Sequence, residues 1–285
     1  MKILIAVLTY DREIELELCL ESIGVAIENV NVSVDVVIGD NKPGSNCVAT
    51  HLLCANRVQM GFGSISAGRQ FLLNKARVEG YGYIAFIDDD EVVSPTWLAR
   101  MLETAKAHQC AAVAGPVTPV GLRAADLPLH ARKRHATGTI VPSAGAGNLL
   151  LDLNRAKVTD FNLDWGLAGG EDTDFTLRLS ANEGPIVWCD EGEAFEPVAA
   201  NRLSRRWLIR RYFSNGRILY RAQRSLTSVP DRLPARTLAL AFSSFQLLIL
   251  PFSTKAFRYF LDHGARNLGY AYEALVGGCR LAEKD

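Results

Sequence analysis

A run of four acidic residues, Asp88 to Glu91, directly follows the short apolar segment Tyr83–Ile87. An apolar run of this length, bounded by Gly80 and Gly82 on one side and by acids on the other, predicts a buried strand of a parallel sheet. Open α/β folds bind their ligands at the carboxyl edge of such a sheet. Because neighbouring carboxylates repel one another, we expect a cation there, and Mg²⁺ or Mn²⁺ fits these ligands best. A solvated acidic turn before the next helix is the alternative.

Strand-like and helix-like segments alternate along the first two thirds of the chain. Strands are predicted at 3–8, 34–38, 83–87, 111–114 and 186–189, helices at 13–28, 65–78 and 171–182, and residues 145–151 turn back into a strand. Ser94 is expected to cap another helix, with Pro95 at its first position. This order predicts an α/β fold with a mostly parallel central sheet flanked by helices. Residues 116–143, which hold four prolines, are predicted to form an irregular loop that shapes a substrate pocket.

Charges are balanced overall but are unevenly distributed. Lys and Arg total 31, as do Asp and Glu, so the net charge is zero and says nothing about partners. We expect no nucleic-acid partner. Between Asp160 and Glu196 there are ten acids and a single base, whereas eight arginines and no acid lie between Ala199 and Val229. Adjacent segments of opposite sign indicate a site that holds both a metal ion and an anion.

The C-terminal part of the chain is predicted to be a helical extension. We expect a catalytic domain at residues 1–200 and a basic and apolar extension at 201–285. Its most apolar segment, Thr237–Phe252, has 16 residues, whereas a membrane-spanning helix needs about 20. We therefore expect a helix pair, including Phe257, Tyr259 and Phe260, that lies on an anionic membrane surface. A helical subdomain packed on the core and a homodimer interface are the alternatives.

Six cysteines without a CxxC motif indicate reduced thiols in a cytoplasmic protein. Nucleotide-binding loops of two common classes are absent from the sequence. There is no GxGxxG after the first strand and no GxxxxGK[ST] anywhere, which argues against a Rossmann dinucleotide enzyme and against a P-loop NTPase.

Four further features of the sequence have residues suited to chemistry. Gly169 and Gly170 would let a substrate approach the backbone, and a carboxylate just after them could act as a general base, although acids also favour a first helical turn for electrostatic reasons. Asp40, which follows a strand, could accept a hydrogen bond from a nucleobase or ribose or could form a turn. Trp165 could stack on a sugar or belong to the core. The arginines at 205, 206, 210 and 211 suit a diphosphate, solvent or lipid.

Taken together, these segments resemble the family 2 glycosyltransferases, whose nucleotide-binding fold is of the GT-A type. The matching pieces are residues 8–12, 37–41, 65–70, 86–91, 147–150 and 169–174, and the resemblance covers about residues 1–220. Their order and spacing are most similar to bacterial exopolysaccharide glucosyltransferases of the succinoglycan type. The chain lacks the Gln-x-x-Arg-Trp motif of processive members, which favours transfer of a single sugar.

The resemblance implies a role for each matching residue. Residues expected to bind the donor are Thr9, Tyr10, Arg12, Asp40, Asn41, Arg69, Asp88, Asp89, Arg210 and Arg211. Asn148, Trp165 and Gly170 are expected to contact the acceptor. Asp90, with Asp88, is expected to ligate Mn²⁺ or Mg²⁺. Asp172 matches the catalytic base, and Glu171 would orient the acceptor.

The resemblance implies an inverting, metal-dependent hexosyltransferase. It would move one sugar from a nucleotide-diphosphate sugar, with UDP-glucose the expected donor, to a hydroxyl of a lipid-linked glycan at the inner face of the cell membrane. Two alternatives remain from the residues alone. A nucleotidyltransferase on a similar sheet would release pyrophosphate, and a non-catalytic membrane scaffold would bind the nucleotide sugar without transferring it.

Overall fold

A computed structural model describes residues 1–43, 55–123, 126–166, 169–226 and 254–277. The chain forms two compact units, each described here by itself. The first comprises residues 1–120 and 132–197, and the second comprises residues 121–131 and 198–285. The apolar segment Thr237–Phe252 and the cysteines 47, 54 and 279 lie outside the described residues, whereas Cys19, Cys110 and Cys189 are buried free thiols.

The first unit holds the strands. In chain order they are β1 (Lys2–Thr9), β2 (Ser33–Asp40), β3 (Asn56–Gln59), β4 (Tyr83–Asp88), β5 (Val92–Val93), β6 (Ala112–Ala114), β7 (Val117–Val120), β8 (Ile140–Val141), β9 (Asn148–Asp152), β10 (Ile186–Trp188) and β11 (Ala194–Pro197). One sheet has the order β3-β2-β1-β4-β9-β6-β10-β8, and a small sheet has the order β5-β11-β7. The strands β3, β2, β1 and β4 are parallel, as are β6 and β10, whereas β9 runs antiparallel to both of its neighbours. The predicted α/β class with a largely parallel sheet is confirmed.

Helices cover both faces of the large sheet because successive strand residues point to opposite faces. The helices of this unit are α1 (Glu13–Glu28), α2 (Ile65–Val78), α3 (Trp97–His108) and α5 (Glu171–Asn182), and α4 belongs to the second unit. Ile3, Ile5 and Val7 pack with residues of α1 and α3. Leu4 and Ala6 pack on the other face with residues of α2 and α5. These two apolar layers hold β1 and β4 rigidly in the centre.

Two sequence predictions about this unit were wrong. The third helix begins at Trp97 with Thr96 as its N-cap, and Ser94 instead accepts the Trp97 backbone N–H through its carbonyl. Val92 and Val93, just before it, pair with β11 as a short strand, which delays the helix. The segment 116–143, predicted to be irregular, contains β7, α4 and β8. The prolines are compatible with these elements because β7 and β8 are short edge strands and Pro128 lies in the first turn of α4.

The second unit is helical among its described residues. It contains α4 (Leu127–His130), α6 (Arg205–Arg224), α7 (Thr254–Tyr259), α8 (Arg266–Tyr272) and the π-helical turns Phe260–Ala265 and Glu273–Gly277. The Ser204 hydroxyl caps α6 by accepting the Trp207 N–H. Gly216 and Gly269 let α6 and α8 touch at backbone level, since a Cβ at Gly216 would lie 1.8 Å from the Arg266 carbonyl oxygen. Among the described residues, no helix is long and apolar enough to cross a bilayer.

Candidate active site

The carboxyl ends of β1, β2 and β4 meet at one edge of the large sheet. Leu8 lies opposite Asp88 across the β1–β4 pairing, and Thr9 lies opposite Asp40 across the β1–β2 pairing. Residues that follow these strands are therefore neighbours in space although they are far apart in sequence. This register brings together the acidic run, Arg12 and Asp40.

Arg12 neutralises part of the acidic run. Its Nη1 donates to Asp89 Oδ1 at 2.9 Å and to Asp90 Oδ2 at 2.8 Å, and Thr9 Oγ1 donates to Asp89 Oδ2 at 2.8 Å. Burial raises the pKa of Asp89, and its hydrogen bonds from Thr9 and Arg12 oppose that increase. Thr9 and Asp89, both predicted to bind the donor, are thus buried and bonded to each other. Arg12, 41% exposed in its side chain, remains at the edge of the site.

Arg69 joins the acidic run to the start of α5. It is buried, its Nη2 donates to Asp88 Oδ1 at 2.7 Å, and its Nη1 donates to Glu171. Burial by itself would lower the pKa of Arg69, but the charges of Asp88, Glu171 and Asp172 raise it above its ordinary value. Burial also raises the pKa of Glu171, and Arg69 opposes that increase. Glu171 is thus buried against Arg69, and its expected role in orienting the acceptor stays a prediction.

Asp172 is the more accessible carboxylate of the pair that opens α5. Its Oδ1 accepts the Thr173 N–H at 2.6 Å, and a Cβ added at Gly145 would lie 3.5 Å from its Oδ2. Gly170, the N-cap of α5, has φ 101° and follows Gly169 with φ 72°. A left-handed backbone at both positions favours glycine. This turn places Asp172 in the first helical turn, next in sequence to the carboxylate that Arg69 holds.

Glu91, the last residue of the acidic run, is tightly packed. It is 3% exposed, and its Oε2 has no hydrogen-bond partner. Burial, and then the charge of Asp88, raise its pKa well above the usual range. Gly147 packs closely against Glu91 and Asp88. A Cβ added at Gly147 would lie 2.7 Å from Glu91 Oε1 and 2.8 Å from Asp88 Oδ2. Glycine at 147 is therefore required by the packing of these two carboxylates.

The acidic run fits a divalent cation through Asp88 and Asp90. Their side chains are 40% and 20% exposed, and hard carboxylate oxygens suit Mg²⁺ or Mn²⁺ that completes its shell with water and phosphate oxygens. In the described part of the chain, no group of three or more His, Cys, Asp or Glu side chains is arranged to hold a metal. Arg12 and Arg69 already contribute positive charge to the acidic run, and the cation at Asp88 and Asp90 stays a prediction.

Asp40 is held by Arg57, which the sequence did not predict to be a site residue. Arg57 donates to Asp40 Oδ2 through Nη2 at 2.7 Å and Nε at 3.2 Å, and it also binds Glu13. Lys42 N–H donates to Asp40 Oδ1 at 3.1 Å. The hydrogen bond to Glu13 is the largest cause of a raised Arg57 pKa, so Arg57 stays charged. Arg57 lies on β3, whose polar sequence lacks the apolar run by which the other strands were predicted.

Two other predicted donor residues, Asn41 and Tyr10, directly follow the ends of β2 and β1. Asn41 is buried and donates through Nδ2 to the Ser64 carbonyl at 3.0 Å, which directs its unpartnered Oδ1 the other way. That oxygen is a buried acceptor that lacks a donor. Tyr10, by contrast, is 53% exposed.

Asn148, which the resemblance places at the acceptor, is hydrogen-bonded within the fold. Its Oδ1 accepts from Trp97 Nε1 at 2.8 Å, and its Nδ2 donates to the carbonyls of Pro116 and Gly192 at 3.0 and 2.7 Å. With these bonds made and only 2% of the residue exposed, Asn148 ties β9 to α3, and its contact with an acceptor stays a prediction. Trp165 is buried at 7% exposure in a short 3₁₀ helix, which limits stacking on a sugar.

Arg210 and Arg211 belong to α6, in the second compact unit. Both are exposed. Their expected contact with a leaving diphosphate stays a prediction from the sequence.

Solved structures share this architecture. Against TarS 1–349 of S. aureus in complex with UDP-GlcNAc, the TM-score is 0.56 at 14% identity, covering 99% of this chain and 92% of that chain. The same fragment in complex with UDP gives a TM-score of 0.56 at 13% identity, covering 98% and 92%. A longer TarS structure gives a TM-score of 0.55 at 14% identity. That match covers 96% of this chain but only 55% of the TarS chain. The α/β sheet with acids at its carboxyl edge therefore has the GT-A glycosyltransferase fold.

Sequence comparison identifies the family. The model of glycosyl transferase family 2 matches residues 5–139. The succinoglycan biosynthesis protein ExoM of Rhizobium meliloti (strain 1021) is 33% identical over 236 residues, which are 74% of this chain and 72% of ExoM. The chain belongs to glycosyltransferase family 2, and the predicted enzyme class is confirmed.

Proposed function

We propose that the protein transfers a single hexose from a UDP-sugar to a hydroxyl of a lipid-linked glycan during assembly of an exopolysaccharide, with inversion at the anomeric carbon. The relative ExoM is named for succinoglycan biosynthesis, and TarS, of the same fold, has been crystallised with UDP and UDP-GlcNAc. Residues 1–200 would carry the reaction and residues 201–285 would serve as an extension. The enzyme would work in the cytoplasm, at the periphery of the cell membrane.

The contact that carries this proposal is the buried Arg69, which bonds to both Asp88 and Glu171. This one side chain joins Asp88, which is expected at the donor diphosphate, to Glu171, which precedes the expected base Asp172. A reaction that needs charge stabilisation at a leaving diphosphate and proton removal from an attacking hydroxyl requires such proximity.

In the proposed reaction, Asp172 accepts the proton of the acceptor hydroxyl. The hydroxyl oxygen forms a bond to the anomeric carbon while the bond from that carbon to the diphosphate oxygen breaks, and UDP leaves with the electron pair. Asp88 and Asp90 would hold a divalent cation, which when bound supplies electrostatic stabilisation of the diphosphate. Asp40, oriented by Arg57, would accept a hydrogen bond from the base edge of the nucleotide.

Asp172→Asn tests this assignment. We expect kcat to fall by about 10²–10⁴-fold, while the Kd for UDP, measured by calorimetry with Mn²⁺, stays near the wild-type value. The exposed Asp164→Asn is the matched control and should keep full activity. Turnover by Asp172→Asn close to that of the wild type would remove Asp172 from the role of base. Release of pyrophosphate instead of UDP would indicate a nucleotidyltransferase.

A further inference from the structure

The second unit exposes an apolar stripe on its C-terminal helices. Leu268, Tyr272, Leu275 and Val276 recur at i, i+4, i+7 and i+8, and they are 48%, 42%, 69% and 38% exposed. This spacing places them on one helical face. Phe257, which the sequence analysis expected at a membrane surface, is instead buried with Leu129, Leu208 and Leu261. The exposed apolar surface of this unit therefore differs from the predicted one.

A stripe of arginines on α6 adjoins this apolar face. Arg206, Arg210, Arg217, Arg221 and Arg224 recur at i, i+4, i+11, i+15 and i+18, so they share one side of the helix. The two stripes meet where the Phe213 and Tyr272 rings lie 5.6 Å apart and the Arg217 guanidinium lies 5.5 Å from the Tyr272 ring centroid.

A groove of about 330 Å³ opens where the two stripes meet. Ile209, Phe213, Phe260 and Leu268 form its apolar wall, and Arg210 and Arg217 supply its charge. The groove thus offers aliphatic and aromatic contact next to guanidinium groups that suit phosphate oxygens.

Positive charge on this unit exceeds what its own acids neutralise. The acids among its described residues are Asp126, Asp262 and Glu273, and each already pairs with one or two arginines. The seven arginines of α6 have no acid within the helix, and Arg206 and Arg210 have no acidic partner in the described part of the chain. An anionic partner is therefore favoured.

We propose that this arginine-rimmed apolar face docks on anionic membrane lipid, with the phosphate at Arg206 and Arg210 and the acyl chains against Leu268 and Leu275. Nucleic acid would leave the aliphatic stripe exposed. A second copy of the chain would bring one arginine stripe against another, and like charges repel. The inference deepens the proposed function, since it names the surface through which the enzyme would reach a lipid-linked acceptor.

Flotation of the full-length protein with vesicles tests the docking without any sugar transfer. Phosphatidylcholine vesicles with and without phosphatidylglycerol are compared. We expect binding to the anionic vesicles only, and it should weaken as salt increases. Arg206→Gln and Arg210→Gln should each weaken partitioning by about fivefold, and Leu275→Ser by about tenfold. Arg100→Gln and Val78→Ser, at exposed positions of the first unit, are the matched controls and should bind like the wild type.

Three outcomes would overturn the proposal. One is equal flotation with both kinds of vesicle that none of these substitutions changes. Another is a wild-type dimer that Leu275→Ser converts to monomer in sedimentation analysis, which would make the face an interface between copies. The third is a lowered melting temperature of Leu275→Ser with unchanged flotation, which would mean that the chain itself covers the stripe. If the sugar-transfer proposal fails instead, the flotation results remain unaffected.

Discussion

Replacing Arg69 with methionine should destabilise the protein strongly and in a pH-dependent way. The substitution keeps an unbranched apolar side chain but removes the charge that Asp88 and Glu171 share. The side chain of Asp88 is 40% exposed, so water will solvate it after the substitution, whereas that of Glu171 is 4% exposed. The cost therefore falls mainly on Glu171.

Leaving a buried charge without its partner costs about 3–5 kcal/mol. Because Asp88 is partly solvated, we expect about 3 kcal/mol at neutral pH, near the lower end of that range. Glu171→Gln in the Arg69→Met background removes the unpaired charge and should restore at least about 1 kcal/mol. Arg100→Met, whose partner Glu103 is exposed, is the control and should change the free energy of unfolding by less than about 0.5 kcal/mol.

The pH dependence follows from the pKa of Glu171. Burial already raises it above the ordinary value of 4.5, and Arg69 opposes that increase, so the substitution should raise it further. Folded Arg69→Met then keeps a proton on Glu171 at pH values where the unfolded chain has released it. The free energy of unfolding should therefore fall as pH rises from the ordinary glutamate pKa through the folded pKa. The destabilisation should be smaller near pH 5 than near pH 7.5.

Urea unfolding followed by circular dichroism at these two pH values measures both effects. A destabilisation below about 1 kcal/mol at pH 7.5, or one that is the same at both pH values, would refute the reasoning. Either result would mean that Glu171 is not held as a buried anion by Arg69.

Three further substitutions test the contact that holds Asp40, the packing around Glu91 and the turn before α5. Arg57→Gln should leave Asp40 poorly oriented and weaken UDP binding by about tenfold or more, from the loss of a charge-assisted contact; calorimetry checks this, and an unchanged Kd would contradict it. Gly147→Ala should destabilise the fold by about 1–3 kcal/mol, seen as a lower melting temperature, since its Cβ would press on buried Glu91. Gly170→Ala should cost about 1–3 kcal/mol of backbone strain and reduce kcat; normal unfolding and kinetics together would show that the turn tolerates a side chain.

Local patterns in the sequence were sufficient for many of the elements. The sequence predicted the observed limits of α1, α2 and α5, and the acidic run was correctly expected at the end of a strand. Each of these features depends on residues within a few positions of one another. The third helix was misplaced because Val92 and Val93 pair with β11, about a hundred residues away.

The sequence by itself determined the α/β class, the family and the positions of the carboxylates, because strand and helix periodicity and the motif residues are local. Only the tertiary structure decided which arginine meets which acid. Arg12 reaches Asp89 because β1 and β4 are parallel neighbours, and Arg69 reaches Glu171 across 102 positions of sequence. Likewise, only the packing around Asn148 showed that its amide serves the fold. Hydrogen bonds of this kind depend on distances that chain folding creates, and local sequence patterns do not specify them.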